Sequence, residues 1–300
     1  MRELQEALST RAQEMARGRV PFVRATVVRA QSPTSSHPGD TALVHADGEI
    51  EGFVGGTCAE ASVREYSLRA LATNEPLLLR IVPGEPSSEY EEGAITVANP
   101  CLSGGAMEIF LEPQNPLPRV LVVGATPIAQ AFAAMAGPLD IDVELTDGAS
   151  AAPRPDDAAL IVASHGRDEE LALTAALRAE VPYVALVASK KRGAAVLASL
   201  DVDEAQRARV HSPAGLSIGA RTPGEIALSI LAELISERVG EQPTVLVAVP
   251  ATATDPVCGM SVSAVAATTH VEHGEATVYF CCENCRASFV ADPDRYAVAS

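Results

Sequence analysis

The sequence predicts an α/β protein built from three parts, and three observations support this fold class. Between residues 120 and 189, short apolar strands alternate with helical stretches, which is typical of a parallel sheet with crossover helices. Before residue 113, strands and helices follow one another without that alternation. Four of the six cysteines lie at or after residue 258, at a spacing that is typical of a metal site.

Residues 1–113 are predicted to form a mixed α+β domain that begins with an amphipathic helix. A glycine-rich turn in GFVGGTCAEASVREYSLRAL carries Cys58 into a second helix, so its thiol is expected near a helix N-terminus. Runs rich in β-branched and apolar residues predict the strands. These are 22–29, 41–45 with a hairpin turn at Asp47 and Gly48, 76–82, 94–98 and the segment MEIFLEP at 107–113.

Residues 118–238 are predicted to form a Rossmann-like parallel-sheet domain. Gly124 ends its first strand at a turn into a helix, where backbone amides could bind a phosphate. Thr126 replaces the second glycine of the G-x-G-x-x-G fingerprint, whereas Asp147 fits the acid that binds a ribose. Two interpretations stay open: binding of NAD(P) or another nucleotide, and a scaffold of this type without it. The expected strands are 120–124, 143–147, 159–164 and 183–189.

Polar residues follow two of these strands, at the edge where open α/β sheets place ligands. His165 could contact an anionic ligand, or be a loop histidine without a role. Ser189 and Lys190 open the run SKKR, which could bind a phosphate or form an ordinary solvated turn. Two helix starts are also predicted, with Asp168 as an N-cap and with Thr222 and Glu225 as a capping box.

Composition limits the possible functions. With no Trp and only 4% aromatic residues, the cores must be built from Ala, Val, Leu and Ile. A formal net charge of -17 argues against a nucleic-acid partner, because such binding depends on Lys and Arg. No apolar run approaches the roughly 18 residues of a membrane span, and the charged first residues do not resemble a secretion signal. A cytoplasmic location is expected, where cysteines act as ligands or reactive thiols rather than in disulfides.

The last part of the chain carries a candidate metal site. Residues 239–253 are predicted to be a linker that docks in part, and DPVCGM followed by VYFCCENCRASFVADPDRY resembles a YHS domain (TRASH-like) over residues 254–300. Cys258, Cys281 and Cys285 are the predicted thiolate ligands of zinc or Cu(I). The fourth ligand could be His270, His273 or Cys282, and a metal-free hydrophobic mini-domain is the alternative.

Five segments in order resemble the XdhC/CoxI family, whose members serve molybdenum hydroxylases such as xanthine dehydrogenase and carbon monoxide dehydrogenase. The resemblance covers about residues 10–236. The chain departs from the family in the loop at residues 31–36, which lacks the usual arginine, and at residues 124–127, where Gly-Ala-Thr-Pro replaces Gly-x-Gly-His. The five segments are GFVGGTCAE, CLSGGAMEIFLEP, SHGRDEEL, YVALVASKKR and SPAGLSIGARTPGEIALSILAEL.

This resemblance implies that the protein binds the molybdenum cofactor (molybdopterin), protects it during sulfuration by a cysteine desulfurase, and inserts it into an apo molybdenum hydroxylase. Its role would be binding and transfer rather than turnover, and a homodimer is left open. Two functions remain as alternatives: an NAD(P)- or flavin-dependent oxidoreductase, and a metal sensor or metallochaperone acting through the tail. The residues that match the two family cysteine motifs are Gly55, Gly56, Cys58, Glu60, Cys101, Gly104 and Gly105.

Overall fold

The computed structural model describes residues 2–84, 91–99, 105–164, 166–238, 248–274 and 276–296. The chain divides into two compact units: unit 1 comprises Met1–Pro116 with Val245–Ser300, and unit 2 comprises Leu117–Thr244. The predicted first and third domains therefore belong to one unit, and their separation by a linker at 239–253 stays a prediction. Among the described residues, no helix combines the length and apolar character that crossing a membrane requires.

The N-terminal part of unit 1 is a six-stranded sheet with two helices. The strand order is β3-β2-β1-β6-β4-β5, and only β4 and β5 pair in parallel. Helix α2 packs on the sheet, with Val63 and Leu71 in one apolar cluster with Ile109. The elements are α1 (Arg2–Arg17), β1 (Phe22–Gln31), β2 (Thr41–His45), β3 (Ile50–Gly52), α2 (Thr57–Thr73), β4 (Leu77–Pro83), β5 (Ala94–Asn99) and β6 (Ala106–Gln114), which confirms the predicted strands and hairpin.

Unit 2 is a five-stranded parallel sheet with helices on both faces, as the alternating pattern predicted. Along β9, Leu160 and Ile161 point to opposite faces, so Ile161 packs with α3 and α7 while Leu160 packs with α4. The elements are β7 (Arg119–Val123), α3 (Pro127–Ala136), β8 (Asp142–Thr146), β9 (Ala159–Val162), α4 (Glu169–Arg178), β10 (Tyr183–Leu186), α5 (Lys190–Ser199), α6 (Glu204–Ala208), β11 (Val210–His211) and α7 (Pro223–Arg238).

The strand order of unit 2, β11-β10-β9-β7-β8, reverses at β7. The chain leaves β7 for β8 on one side and returns to β9 on the other. Ligands of open α/β sheets bind in the crevice that such a reversal creates at the carboxyl ends of the strands. Gly124 follows β7 and Ser164 lies shortly after β9, so both lie at this edge.

Two predicted helix starts have different outcomes. The capping box of α7 is confirmed, because Thr222 Oγ1 accepts from the Glu225 amide at 3.3 Å and Glu225 Oε2 accepts from the Thr222 amide at 3.0 Å. Asp168 is the N-cap residue of α4, and acidic residues follow it in the first turn, as predicted, but the side-chain cap is missing. Asp168 has φ 52°, its side chain makes no capping bond, and the carboxylate of Glu169 accepts from the Gly166 amide instead.

The C-terminal part of unit 1 consists of two small hairpins and a helix. Its own apolar cluster contains Val278, Phe280 and Phe289, and the two phenyl rings lie 5.4 Å apart. Most of the predicted linker lies outside the described residues, and its last two residues begin the first strand. The elements are β12 (Thr252–Thr254), β13 (Ser261–Ser263), β14 (His270–His273), β15 (Ala276–Tyr279) and α8 (Glu283–Ala291).

Candidate functional site

Two glycines turn the chain into α2 and place Cys58 in its first turn, as predicted. Gly55 has φ +149°, and a Cβ there would lie 3.0 Å from the Cβ of Ala59 and 3.2 Å from Ser36 Oγ. Gly56 is the N-cap of α2, and a Cβ there would meet nothing within 4 Å. Cys58 is half-buried. The start of α2 therefore offers a thiol beside backbone amides and open space.

The loop after β1 packs against this glycine turn. Ser36 Oγ donates to the Val54 carbonyl at 3.1 Å. Gly105, at the start of β6, lies so close to the same loop that a Cβ there would be 2.2 Å from the Pro33 carbonyl oxygen. Of the other residues in the two cysteine motifs, Glu60 is half-buried in the first turn of α2, while Cys101 and Gly104 lie outside the described residues.

The three cysteines predicted as tail ligands converge. Cys258 Sγ lies 3.5 Å from Cys281 Sγ, which lies 3.7 Å from Cys285 Sγ. Sulfurs bound at about 2.3 Å to one tetrahedral ion lie about 3.8 Å apart, so this spacing suits a common metal. The turn between β12 and β13 carries Cys258, the segment after β15 carries Cys281, and the first turn of α8 carries Cys285.

Asp255 organises these thiols, a role that cysteine spacing did not reveal. Its fully buried carboxylate accepts from the amides of Cys281 at 2.8 Å, Val257 at 2.9 Å and Cys258 at 3.4 Å. Burial alone would raise the pKa of Asp255, but these donors together hold it below its usual range. An oxygen of Asp255 also lies within 4.8 Å of the sulfurs of Cys258, Cys281 and Cys285. Asp255 thus joins the two ligand-bearing loops and lies where a fourth ligand would bind.

The predicted fourth ligand, His270, lies elsewhere. Its Nδ1 is 2.7 Å from the Thr268 carbonyl oxygen, and its ring lies 5.7 Å from that of Tyr279. His273 packs edge-on against Phe289 at 5.4 Å. Within the described part of the chain, neither histidine belongs to a group of converging ligand atoms. The hairpin formed by β14 and β15 uses both rings in packing, which periodicity alone could not distinguish from ligation.

A second group of thiols joins the two ends of unit 1. The sulfurs of Cys58, Cys281 and Cys282 all lie within 4.8 Å of one another. Cys282 is buried at the N-cap of α8, and Cys281 is also buried. Sequence analysis assigned Cys58 and the tail cysteines to separate sites. The structure brings them together, and Cys281 belongs to both groups.

The thiols influence one another's ionisation. Hydrogen bonding from the Cys281 thiol lowers the pKa of Cys258, whereas contacts with Cys258 and Cys58, together with burial, raise the pKa of Cys281 well above its usual range. Burial raises the pKa of Cys285 as well.

A cavity of about 360 Å³ lies beside the cluster, lined by α2, β5 and the turn that carries Cys258. On its α2 side, Glu65 is only 5% exposed and accepts a hydrogen bond from Ser261 Oγ at 3.1 Å. Burial raises the pKa of Glu65. The volume falls within the range of small-molecule pockets, about 300–1,000 Å³.

In unit 2, local structure explains the residues that suggested a dinucleotide site. Gly124 has φ +117°, and a Cβ there would lie 2.5 Å from the Ala163 carbonyl oxygen. Thr126 is the N-cap of α3 and accepts from the Ala129 amide at 3.3 Å, an amide that a phosphate would otherwise use. Asp147 accepts from the Ser150 amide at 2.8 Å and from its hydroxyl at 3.2 Å, which lowers the pKa of Asp147. These contacts favour the scaffold interpretation over nucleotide binding.

A buried acid that the sequence analysis did not identify joins the other two polar loops of unit 2. Glu169 is 1% exposed, accepts from Ser164 Oγ at 3.1 Å and from the Gly166 amide at 2.7 Å, and pairs with Arg192. One cation of the SKKR run, the partly exposed Arg192, is therefore engaged with a buried acid. Of the predicted ligands in these loops, Ser189 is the N-cap of α5, Lys190 is exposed at its first position, and His165 lies outside the described residues.

Comparisons with known proteins connect both units to one family. The model for the XdhC and CoxI family matches residues 15–82, and the model for the XdhC Rossmann domain matches residues 120–234. Both matches end before residue 235, so the YHS resemblance of the tail remains a prediction.

Two curated relatives are similar to parts of the chain. The "Uncharacterized protein YqeB" of Escherichia coli (strain K12) is 32% identical over 255 residues, which cover 75% of this chain and 45% of that protein. A probable xanthine dehydrogenase subunit of Bacillus subtilis (strain 168) is 26% identical over 155 residues, which cover 43% of this chain and 46% of that protein. The chain thus spans about half the length of the curated relatives it matches.

A crystal structure of a xanthine dehydrogenase from Bacillus halodurans is 18% identical, with a TM-score of 0.37, and the match covers 77% of this chain and 96% of that one. The identification of the family rests instead on the two matched segments, which lie in the predicted order and together span more than half of the chain. This chain belongs to the XdhC and CoxI family.

Proposed function

We propose that this protein is a maturation factor that binds the molybdenum cofactor and delivers it to a xanthine dehydrogenase or a related molybdenum hydroxylase. The observation that carries the proposal is the placement of Cys58. It lies in the first turn of α2, beside Gly55 and Gly56, within the segment matched to the XdhC and CoxI family. The relative named as a probable xanthine dehydrogenase subunit supports the choice of target enzyme.

The residues around Cys58 suit such a cargo. The cofactor is a pterin that carries a phosphate and a dithiolene-bound metal, so it needs a soft donor and a site for negative charge. Cys58 supplies the sulfur, and the N-terminus of α2 supplies amides and the positive end of the helix dipole. The open space at Gly56 lets a ligand approach the backbone. We extend the proposal to sulfuration of the bound cofactor by a cysteine desulfurase.

The test measures how much cofactor the protein retains. The full chain and its variants are co-expressed with cofactor synthesis and purified, and the bound pterin is quantified as its fluorescent oxidation product. We expect Cys58→Ala to retain about tenfold less pterin, the effect of losing about 1.4 kcal/mol of binding free energy. Thr57→Ala, an exposed neighbour in the same turn, is the matched control and should retain as much as wild type.

Equal retention by Cys58→Ala and wild type would remove Cys58 from the cofactor site. A pterin-free wild-type protein that still activates the apo-hydroxylase would contradict cofactor delivery itself. Cys101→Ala tests the second family motif in the same assay, and loss of retention is expected there too.

The tail supports a second candidate function, in metal handling by a metallochaperone or sensor. The favouring observation is the convergence of Cys258, Cys281 and Cys285 at distances that suit a common ion. If the two functions are separate, Cys258→Ser with Cys285→Ser will remove the ion held by Cys258, Cys281 and Cys285 and leave hydroxylase activation unchanged. Loss of both properties in this double variant would show that the metal serves cofactor delivery.

A further inference from the structure

We propose that Cys58 is itself a metal ligand and that, with Cys281 and Cys282, it forms a three-thiolate site for a soft d10 cation, Cu(I) or Zn(II). The three sulfurs lie within 4.8 Å of one another although Cys58 and the other two are far apart in sequence. Such an ion would bind α2 to the tail. The inference goes beyond cofactor delivery and does not depend on it, because it concerns metal bound by this chain alone.

The surroundings of the three sulfurs favour a soft cation. Ala61, Met260 and Val262 pack around them, so the site has an apolar wall. Cys281 and Cys282 are only 6% and 8% exposed, and no carboxylate belongs to this group of converging ligand atoms in the described residues. Sulfur-only donor sets select Cu(I) or zinc over the hard cations Mg²⁺ and Ca²⁺.

Cys281 belongs to both groups of ligands, so one thiolate would be shared by two ions. The first ion would lie among Cys258, Cys281 and Cys285, and the second among Cys58, Cys281 and Cys282. Asp255 supports this sharing because it fixes the Cys281 amide at 2.8 Å and thereby sets the position of the bridging residue. The arrangement predicts two ions per chain.

The second ion would occupy the thiol that we propose for cofactor contact. When the tail and an ion cover Cys58, its lone pairs are engaged and the cofactor lacks its soft donor. Metal and cofactor would therefore exclude each other at Cys58, which would link metal supply to cofactor binding at one side chain.

The test counts ions bound by reduced, metal-free, full-length protein under anaerobic conditions. Cu(I) is titrated in competition with bathocuproine disulfonate, and Zn(II) in competition with 4-(2-pyridylazo)resorcinol, so the two arms identify the preferred cation. We expect wild type and Thr57→Ala to bind two ions per chain. Cys58→Ser and Cys282→Ser each lose the second ion, and Cys258→Ser loses the first, so each of these variants should bind one. Cys281→Ser loses the shared ligand and should bind none. Circular dichroism of the metal-free variants checks that each one folds.

Wild-type stoichiometry and affinity in both Cys58→Ser and Cys282→Ser would overturn the proposal. A second measurement needs no variant. Iodoacetamide alkylates Cys58 in the wild-type protein, and mass spectrometry follows the rate with and without Cu(I) or Zn(II). Bound metal should slow the alkylation of Cys58 at least tenfold, and equal alkylation rates with and without each metal would also overturn the proposal. Failure of pterin retention affects neither readout, so the two proposals fail independently.

Discussion

Arg119 is a charged side chain in the interior of unit 2. It is 5% exposed and pairs with Asp157, 1% exposed, through two bonds of 2.5 and 2.8 Å. Its Nη1 also donates to Glu144 at 2.9 Å. Because β7 begins at Arg119, the pair holds the amino end of the strand whose carboxyl end carries Gly124. A buried pair of this kind costs much free energy when one partner is removed, since the other charge stays buried.

We therefore expect Arg119→Met to lower the free energy of unfolding of unit 2 by about 3–5 kcal/mol. Arg178→Met is the matched control, because Arg178 and Asp201 form an exposed pair with side chains 61% and 97% accessible. That change should cost at most about 1 kcal/mol. Urea unfolding of both variants measures the difference, and equal losses would mean that burial of the Arg119 pair adds nothing.

Residue chemistry explains which site residues the sequence could predict. The spacing of Cys258, Cys281 and Cys285 predicted that their thiols come together, as the structure shows, while their binding of a metal stays a prediction. Asp255 was missed because its partners are backbone amides, which have no signature in the sequence. Glu169 was missed because it joins a hydroxyl and an amide of the preceding loop to Arg192, a combination that no local motif encodes. His270 does not join the group of converging ligand atoms in the described part of the chain, because its ring packs near Tyr279.

At the scale of elements, α2 connects the two ends of unit 1. Its first turn holds Cys58, its next turn packs Ala61 against the tail, and Glu65 bonds Ser261 across the same contact. One face of α2 therefore covers the sheet while another part carries the tail. Burial removes water from the Glu65 carboxyl and so disfavours its ionised form. The contacts with Ser261 and Arg69 favour that form, but they offset the effect of burial only in part.

This cost should appear as a pH dependence. Burial raises the pKa of Glu65 in the folded protein, so folding favours its protonated form. The penalty is absent at acid pH, where the group is protonated in both states, and it grows as pH rises from about 4 through the raised pKa. We expect Glu65→Gln, which keeps an acceptor for Ser261, to become increasingly more stable than wild type from pH 4 to pH 7.

Thermal unfolding over that pH range measures the difference between Glu65→Gln and wild type. Glu75→Gln, at an exposed position just beyond α2, is the control and should give a nearly constant difference. A constant difference for Glu65→Gln as well would mean that the carboxyl keeps its ordinary ionisation in the folded protein.

Elements were predicted well wherever a local signal determined them. The hairpin turn at Asp47 and Gly48, the capping box of α7 and the alternating strands of unit 2 all depend on residues close in sequence. The N-cap position of α4 was predicted correctly, but Asp168 adopts a left-handed conformation and its side chain does not cap, whereas Glu169 accepts from the Gly166 amide of the preceding loop. Glu169 also pairs with Arg192, which lies in α5, and local sequence does not reveal that partner.

At the scale of the whole molecule, metal should stabilise unit 1 and leave unit 2 unchanged. A ligand present at about one hundred times its dissociation constant stabilises the folded form by about 2.7 kcal/mol. Where the ligand binds, the equilibrium constant for local opening should therefore fall roughly a hundredfold. Hydrogen exchange with mass spectrometry should show this slowing in the first turn of α2 and in residues 255–263 and 279–285. Cys58→Ser should lose the effect in α2 and keep it around Cys258.

Equal slowing in residues 117–244, or none at the start of α2, would contradict this assignment of the metal to unit 1. The pairing of α2 with the tail is also the part of the molecule that sequence analysis could not supply. Contacts such as the one between Glu65 and Ser261 join residues far apart in the chain, and neither motif contains information about the other.

Unit 1 has a further consequence because it is built from both ends of the chain, Met1–Pro116 and Val245–Ser300, with unit 2 between them. During synthesis, α2 leaves the ribosome before unit 2, and the tail cysteines emerge after both. Every newly made molecule therefore passes through a period in which Cys58 has been translated and Cys281 and Cys282, whose sulfurs lie within 4.8 Å of it in the folded unit, have not. A cofactor that binds Cys58, as we propose, would then meet this thiol before the tail thiols are in place.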